Sequence, residues 1–125
     1  MSEHVTLELL DEIVAAFNAK DVEAIVGHFA EDGEMLLAAG PDMWGIRLKG
    51  HDELRDGLSQ RFAAVPDIQW VDGLNWIAGD RAVSEWRVQG TLPDGKALNC
   101  LGCDVWQFRN GKIIKKDTYY KQVTG

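Results

Sequence analysis

A chain of 125 residues with 46% hydrophobic and 26% charged side chains is long enough to build one core without disulfides or metal. Its formal net charge of −7 argues against nucleic acid as a partner, because a phosphate backbone is bound by a basic face. No segment approaches the roughly 20 apolar residues of a membrane span, and MSEHVTLELLDEIV has no basic stretch leading into an apolar one, so a soluble, cytoplasmic protein without membrane contact is expected.

Residues 1–125 read as a single domain, with no repeat, linker or low-complexity tract. In chain order, Val5, Leu9, Ile13, Ala16 and Phe17 recur at helical spacing between Glu8, Asp11 and Glu12, predicting an amphipathic helix over residues 4 to about 19. Asn18-Ala19-Lys20 breaks the pattern, Asp21 is placed to cap a second helix, and Val22, Ile25, Val26 and Phe29 supply its apolar stripe. After FAEDG, the run Met35 to Ala39 predicts a buried strand ending at Gly40-Pro41. Residues 41 to 50 read as a loop carrying Trp44, and Leu54, Leu58 and Phe62 predict a third helix that stops before Pro66. Four strands follow at about 66 to 77, 80 to 92, 96 to 109 and 112 to 121, separated by turn signals at Ala78-Gly79-Asp80, Pro93-Asp94-Gly95 and Asn110-Gly111. Helices first and a long meander later predict an α+β fold, a cone-shaped barrel with N-terminal helices packed on a curved, mostly antiparallel sheet.

Alternation in the penultimate strand puts Cys100, Gly102, Asp104, Trp106 and Phe108 on one face, so a carboxylate shares a surface with two large aromatics. Such a group is costly unless it is paired, hydrated or kept protonated as an acid. Cys100 and Cys103 form a C-x-x-C whose spacing sends them to opposite faces, and no second pair or histidine cluster completes a zinc site. Two reduced thiols and no metal are expected. No phosphate-binding loop, dinucleotide glycine motif or nucleophile elbow is present, so no cofactor is expected either.

The order helix, helix, strand, helix and long strands, with F-A-E-D at 29 to 32 and D-x-W-x-F-R-N-G-K-I at 104 to 113, resembles the nuclear transport factor two-like superfamily. Its members include ketosteroid isomerase and the SnoaL-like polyketide cyclases. The resemblance spans nearly the whole chain but marks fold rather than chemistry, because this superfold hosts isomerases, dehydratases, cyclases, hydrolases, transport factors and subunits with no reaction. Against the isomerase pattern, it implies that the oxyanion-hole aspartic acid falls on Asp104, the base position on about Leu37 and the first-helix tyrosine on about Ile13. Neither Leu37 nor Ile13 can move a proton, so the familiar steroid isomerisation is not expected, although its pocket is.

An ungapped comparison with the isomerase turns Glu85, Arg87 and Gln89 inward, and on the last strand Ile114, Lys116, Thr118 and Tyr120. Ile113 and Tyr119 would suit the opposite parity, and a slip of one residue reverses the assignment. Two states of Asp104 stay open: a carboxylate that is salt-bridged or hydrated, and a protonated donor facing a carbonyl in a partly apolar cavity. His28, beside Phe29, is either a proton carrier or a histidine satisfied by backbone. Trp44 is placed to cover the pocket mouth, with Leu37, Cys100, Trp106 and Tyr120 in the pocket. An outer face carrying Trp86, Val88, Leu101, Cys103 and Val105 would suit a homodimer. Two functions from different classes follow. One is a cofactor-free isomerase, cyclase or dehydratase for a small, largely apolar carbonyl compound, with Asp104 as acid or hydrogen-bond donor and Lys116 or His28 assisting. The other is a small-ligand-binding or dimerisation module without a reaction.

Overall fold

The computed structural model describes residues 4–124. Thr6 opens α1 (Leu7–Ala19) by accepting from the Leu9 N–H at 3.1 Å, and Lys20 closes it in the left-handed region at φ 57°. Asp21 caps α2 (Val22–Gly27) as its position predicts, accepting from the Ala24 N–H. This helix is shorter than its apolar stripe suggests. Phe29 already belongs to β1 (Phe29–Leu36), so the expected first strand begins six residues early and takes in the polar stretch Glu31 to Gly33. Pairing along β1 is irregular between Phe29 and Glu34, which is why that stretch carries no strand-like alternation.

A loop then returns to β2 (Arg47–Lys49), antiparallel to β1, inside the region expected to be loop alone. α3 (His51–Ala64) buries Leu54, Leu58 and Phe62, and β3 (Gln69–Ala78), β4 (Arg81–Thr91), β5 (Ala97–Arg109) and β6 (Lys112–Tyr120) form the meander. Asn110 and Gly111 both take positive φ between β5 and β6, the conformation a two-residue hairpin turn demands. The sheet has six strands in the order β2-β1-β6-β5-β4-β3, antiparallel except where β1 runs parallel to β6. It is open, with β2 and β3 at its edges, rather than a closed barrel. Helices cover one face, and the core lies between: Leu10, Ile13 and Phe17 of α1, the α3 stripe, and Trp86, Val88, Trp106, Phe108 and Ile113 of the sheet.

The two motifs that carry the resemblance meet in space. Phe29 pairs with Ile113, and Asp32 forms an ion pair with Arg109 at 2.6 Å. They join β1 to the β5–β6 hairpin, a role in closing the sheet rather than in chemistry. The pair itself is exposed and adds little stability.

Two features of register decide what faces the helices. On β4, Ser84 sits opposite Asp104 and Trp86 opposite Gly102, and Ser84, Trp86 and Val88 are buried. Glu85 and Arg87 therefore point outward with Gln89, contrary to the inward assignment, and Trp86 and Val88 leave the expected outer dimer face for the interior. On β6 the pairing steps from Phe108 opposite Ile113 to Gln107 opposite Lys115, which leaves Ile114 as an extra residue. This bulge lets Ile113 and Lys116 both turn inward, so the two competing parities each hold on one side of it. A second break on β3, between Val71 and Leu74 with Asp72 at φ 58°, bends that edge strand.

Candidate functional site

A cavity of about 280 Å³ lies between the inner face of the sheet and helices α1 and α3. Phe17, Met35, Leu37, Leu58, Phe62, Trp70, Trp86 and Val88 make most of its wall, with Ala38, Ala39 and Ile46 contributed by the loop after β1. Its polar lining is short: Arg61, Lys116, Thr118 and Tyr120.

The edge strand is held in place from α1. Asn18 accepts from the Trp70 N–H at 2.8 Å and donates to the Trp70 carbonyl at 3.0 Å, imitating a neighbouring strand where β3 has none. The three residues that end the helical pattern thus include the clamp that fixes Trp70, whose ring meets Phe17 edge-on at 5.7 Å.

Behind the polar wall is a buried network. The Lys116 ammonium reaches Asp104 Oδ1 at 2.9 Å and donates to Thr118 Oγ1 at 2.9 Å. Thr118 donates onward to Asp104 Oδ1 at 2.6 Å, and the Trp86 indole N–H donates to Asp104 Oδ2 at 2.9 Å. Every neighbour gives Asp104 a hydrogen, which is the pattern of an ionised carboxylate rather than of an acid with a proton to donate. Of the two states left open by the sequence, the packing matches the salt-bridged one. The ammonium also lies 4.9 Å from the Phe17 ring centre and 5.7 Å from that of Trp106. Both partners of the pair are about 6% exposed at the side chain, so they are retained by their hydrogen bonds and not by Coulomb attraction alone. Trp106, fully buried, donates to Ser84 at 2.9 Å and supports the same wall from behind.

The remaining candidates divide by strand face. Leu37 and Tyr120 line the cavity, whereas Trp106 and Cys100 are core neighbours of it. Burial pushes the Cys100 thiol above its ordinary range, with the Arg61 charge working against the rise, and both cysteines are free thiols. Glu85 accepts from the Trp76 indole, and Arg87 contacts Asp72, Gln89 and Asn99, all on the outer face. His28 caps the C-terminal end of α2, outside the cavity wall; partial burial lowers its pKa, with Glu12 opposing and Lys112 adding. Trp44 is an exposed loop residue with the Arg47 guanidinium 4.9 Å from its ring centre; it is not part of the cavity wall, and Ile46 takes the place at the rim. Trp86 and Arg61 were missed, although each stands where an apolar periodicity points inward. Among the described residues, no three His, Cys, Asp or Glu side chains gather in a way that could hold a metal ion, and no helix is long and apolar enough to cross a membrane.

A SnoaL-like domain model matches residues 10–116. Among solved structures, a provisionally assigned polyketide cyclase from Xanthomonas campestris superposes with a TM-score of 0.80 at 23% identity, covering 91% of this chain and 88% of its own. Another, from Pseudomonas putida, gives 0.80 at 22% identity with coverages of 91% and 90%. A protein with the ketosteroid isomerase-like fold from Catenulispora acidiphila, solved with trimethylamine, gives 0.80 at 18% identity with coverages of 94% and 88%. No curated protein matches the chain. At these identities the solved structures speak for the fold, while the domain match extends over most of the sequence, from α1 to the lysine of the buried pair. The chain belongs to the SnoaL-like domain family.

Proposed function

We propose that the cavity binds a small, largely apolar carbonyl compound and promotes an isomerisation or ring closure without a cofactor. The observation that carries this reading is Lys116, a charged donor held at the wall of a largely apolar cavity by Asp104 and Thr118. An ammonium fixed there before the ligand arrives needs no reorganisation to receive the negative charge that develops on a carbonyl oxygen. In this reading Lys116 replaces Asp104 as the group that meets the ligand. Asp104 becomes a positioning residue, and Thr118 aligns both. A 1,3-dicarbonyl compound brings its own acidic C–H, loses that proton to water as the enolate, and attacks a second carbonyl within the same molecule; Lys116 would stabilise the alkoxide formed until it takes a proton back from water. The provisional assignment of two structural neighbours as polyketide cyclases supports that class of reaction.

One observation favours a second reading, a binding module without turnover: among the described residues neither a carboxylate nor a histidine lines the cavity to take a proton. A linear aryl triketone separates the two. Cyclisation should appear as a product of equal mass, or lighter by one water after dehydration, at a rate at least tenfold above buffer and lost in Lys116→Met. Saturable binding with no product would leave the binding module.

We further propose that the outer sheet face forms a homodimer. Leu74, Trp76, Leu101 and Tyr119 are 50–62% exposed there, next to Val83 and Val105. Sedimentation of the wild type as a dimer at micromolar concentration, and of Leu101→Lys as a monomer, is the expected result.

A further inference from the structure

We propose that the ligand is an anion, with its charged oxygen held by Arg61. This inference rests on the ligand-binding reading of the same cavity and narrows it to an acid. Leu58, Arg61 and Phe62 follow the i, i+3, i+4 spacing of one helical face, and all three line the cavity. A guanidinium therefore stands where the periodicity of α3 calls for an apolar side chain. The last turn of a helix favours a cation, which accounts for a positive charge near this end but not for its place in the cavity wall.

The charge arithmetic of the wall makes the case. Among the described residues its two cations are Lys116 and Arg61, and no acidic side chain lines it. Lys116 is neutralised by Asp104 directly behind it. Arg61, among the described residues, has no salt bridge and no side-chain hydrogen bond, while the other arginines that sit beside carboxylates are paired with them: Arg47, Arg55, Arg87 and Arg109. Among the described residues no buried side-chain nitrogen lacks a partner, so the Arg61 nitrogens retain open surface. Arg61, half-buried and with five guanidinium donors unpartnered among the described residues, lines a largely apolar cavity and fits a planar carboxylate or an ionised enol or phenol. In a chain of net charge −7 such a ligand is not drawn in by the overall field, so direct pairing must supply the selectivity.

Two bicyclic probes of nearly equal shape test this: 2-naphthoate, an anion, and 2-acetonaphthone, its neutral ketone counterpart, titrated calorimetrically at neutral pH. The wild type should prefer the acid by about tenfold or more, and Arg61→Met should weaken the acid about 10- to 100-fold while leaving the ketone within about twofold. Arg61→Lys should restore part of the preference, since a point charge lacks the planar fork. Equal affinity of the wild type for the two probes would overturn the inference and leave carbonyl binding standing. Equal loss of both probes in Arg61→Met, with the melting temperature kept, would also overturn it by making Arg61 a shaping residue of the wall. Failure of both probes to bind the wild type would remove the ligand-binding reading, and this inference with it. Should Arg61→Met fail to fold, the wild-type preference and Arg61→Lys decide.

Discussion

Strand β4 meets two environments one residue apart. On the helix side Ser84, Trp86 and Val88 are buried, and the polar atoms among them are engaged: Trp86 donates to Asp104, and Ser84 accepts from Trp106. On the other side Val83, Glu85 and Arg87 face outward, and their contacts with Trp76 and Asp72 are exposed. A charge on the inner face of the sheet is expensive to place and expensive to leave unpaired, so Asp104 and Lys116 belong to one network. A charge on the outer face is screened by water and can be changed at little cost. Charged residues are thus informative about function here only after the face is known.

The sharpest test of that contrast is a pair of truncations on adjacent residues. Trp86→Ala should cost about 4 kcal/mol, from the lost ring and the lost donor to Asp104, whereas Glu85→Ala should change stability by less than about 0.5 kcal/mol. Denaturant unfolding that gave the two similar values would refute the parity of β4. Next in size, Asp104→Asn should destabilise by about 3 kcal/mol, because Lys116 is left buried with a neutral partner. Replacing both members, Asp104→Leu with Lys116→Met, should recover most of that loss while cyclisation stays lost, as in Lys116→Met alone. A double variant no more stable than Asp104→Asn would show that the network, not the charge, sets the cost.

Gly102 makes a smaller test across the β4–β5 pair. A Cβ there would stand 2.6 Å from the Tyr119 carbonyl oxygen and 2.7 Å from the Trp86 ring, so Gly102→Ala should cost about 2 kcal/mol. Unchanged unfolding would mean that the indole has room to move. The least effect concerns pH and lies away from the cavity. Burial lowers the pKa of His28 in the folded protein, so as pH falls the unfolded chain takes up its proton first, near the ordinary value of about 6.5. The stability this histidine leaves intact above that value is lost progressively below it, until the folded form also protonates. His28→Gln should flatten the melting-temperature profile between about pH 7 and 5 without altering ligand affinity. A change in affinity would return His28 to the site.

Periodicity and turn chemistry were enough to find α1, the Asp21 cap, α3 and the four meander strands, because each has a clear apolar stripe or a Gly-containing turn at its end. The pairing of Asp104 with Lys116 was within reach, because the comparison with the isomerase turned Lys116 inward and alternation put Asp104 on one face with Trp106 and Phe108. β4 was not, because an ungapped comparison with a distant fold relative overrode the plain signal of Trp86 and Val88 on one face. The bulge at Ile114 has no mark in composition: Ile113 and Ile114 are equally apolar, and only the neighbouring strand determines which of them is the extra residue. Arg61 was legible in principle, as a charge on the stripe of Leu58 and Phe62, but a lone arginine near a helix end ordinarily reads as solvated.

The position of β6 carries a consequence for how the molecule is made. It lies between β1 and β5, pairing parallel with a strand some eighty residues earlier in the chain, whereas β3, β4 and β5 each need only a sequence neighbour. The helices with β1 and β2 make up one stretch of the chain and the β3–β5 meander another, and within the sheet β6 is the strand that seams them. Such long-range closure is slow, and until it happens both stretches present unpaired strand edges. Lys116 travels on that seam strand, so the β3–β5 meander carries Asp104 with no partner for its charge until β6 is in place. Folding intermediates of this protein are therefore expected to be sticky, and to gain their buried ion pair in the same step that removes their edges.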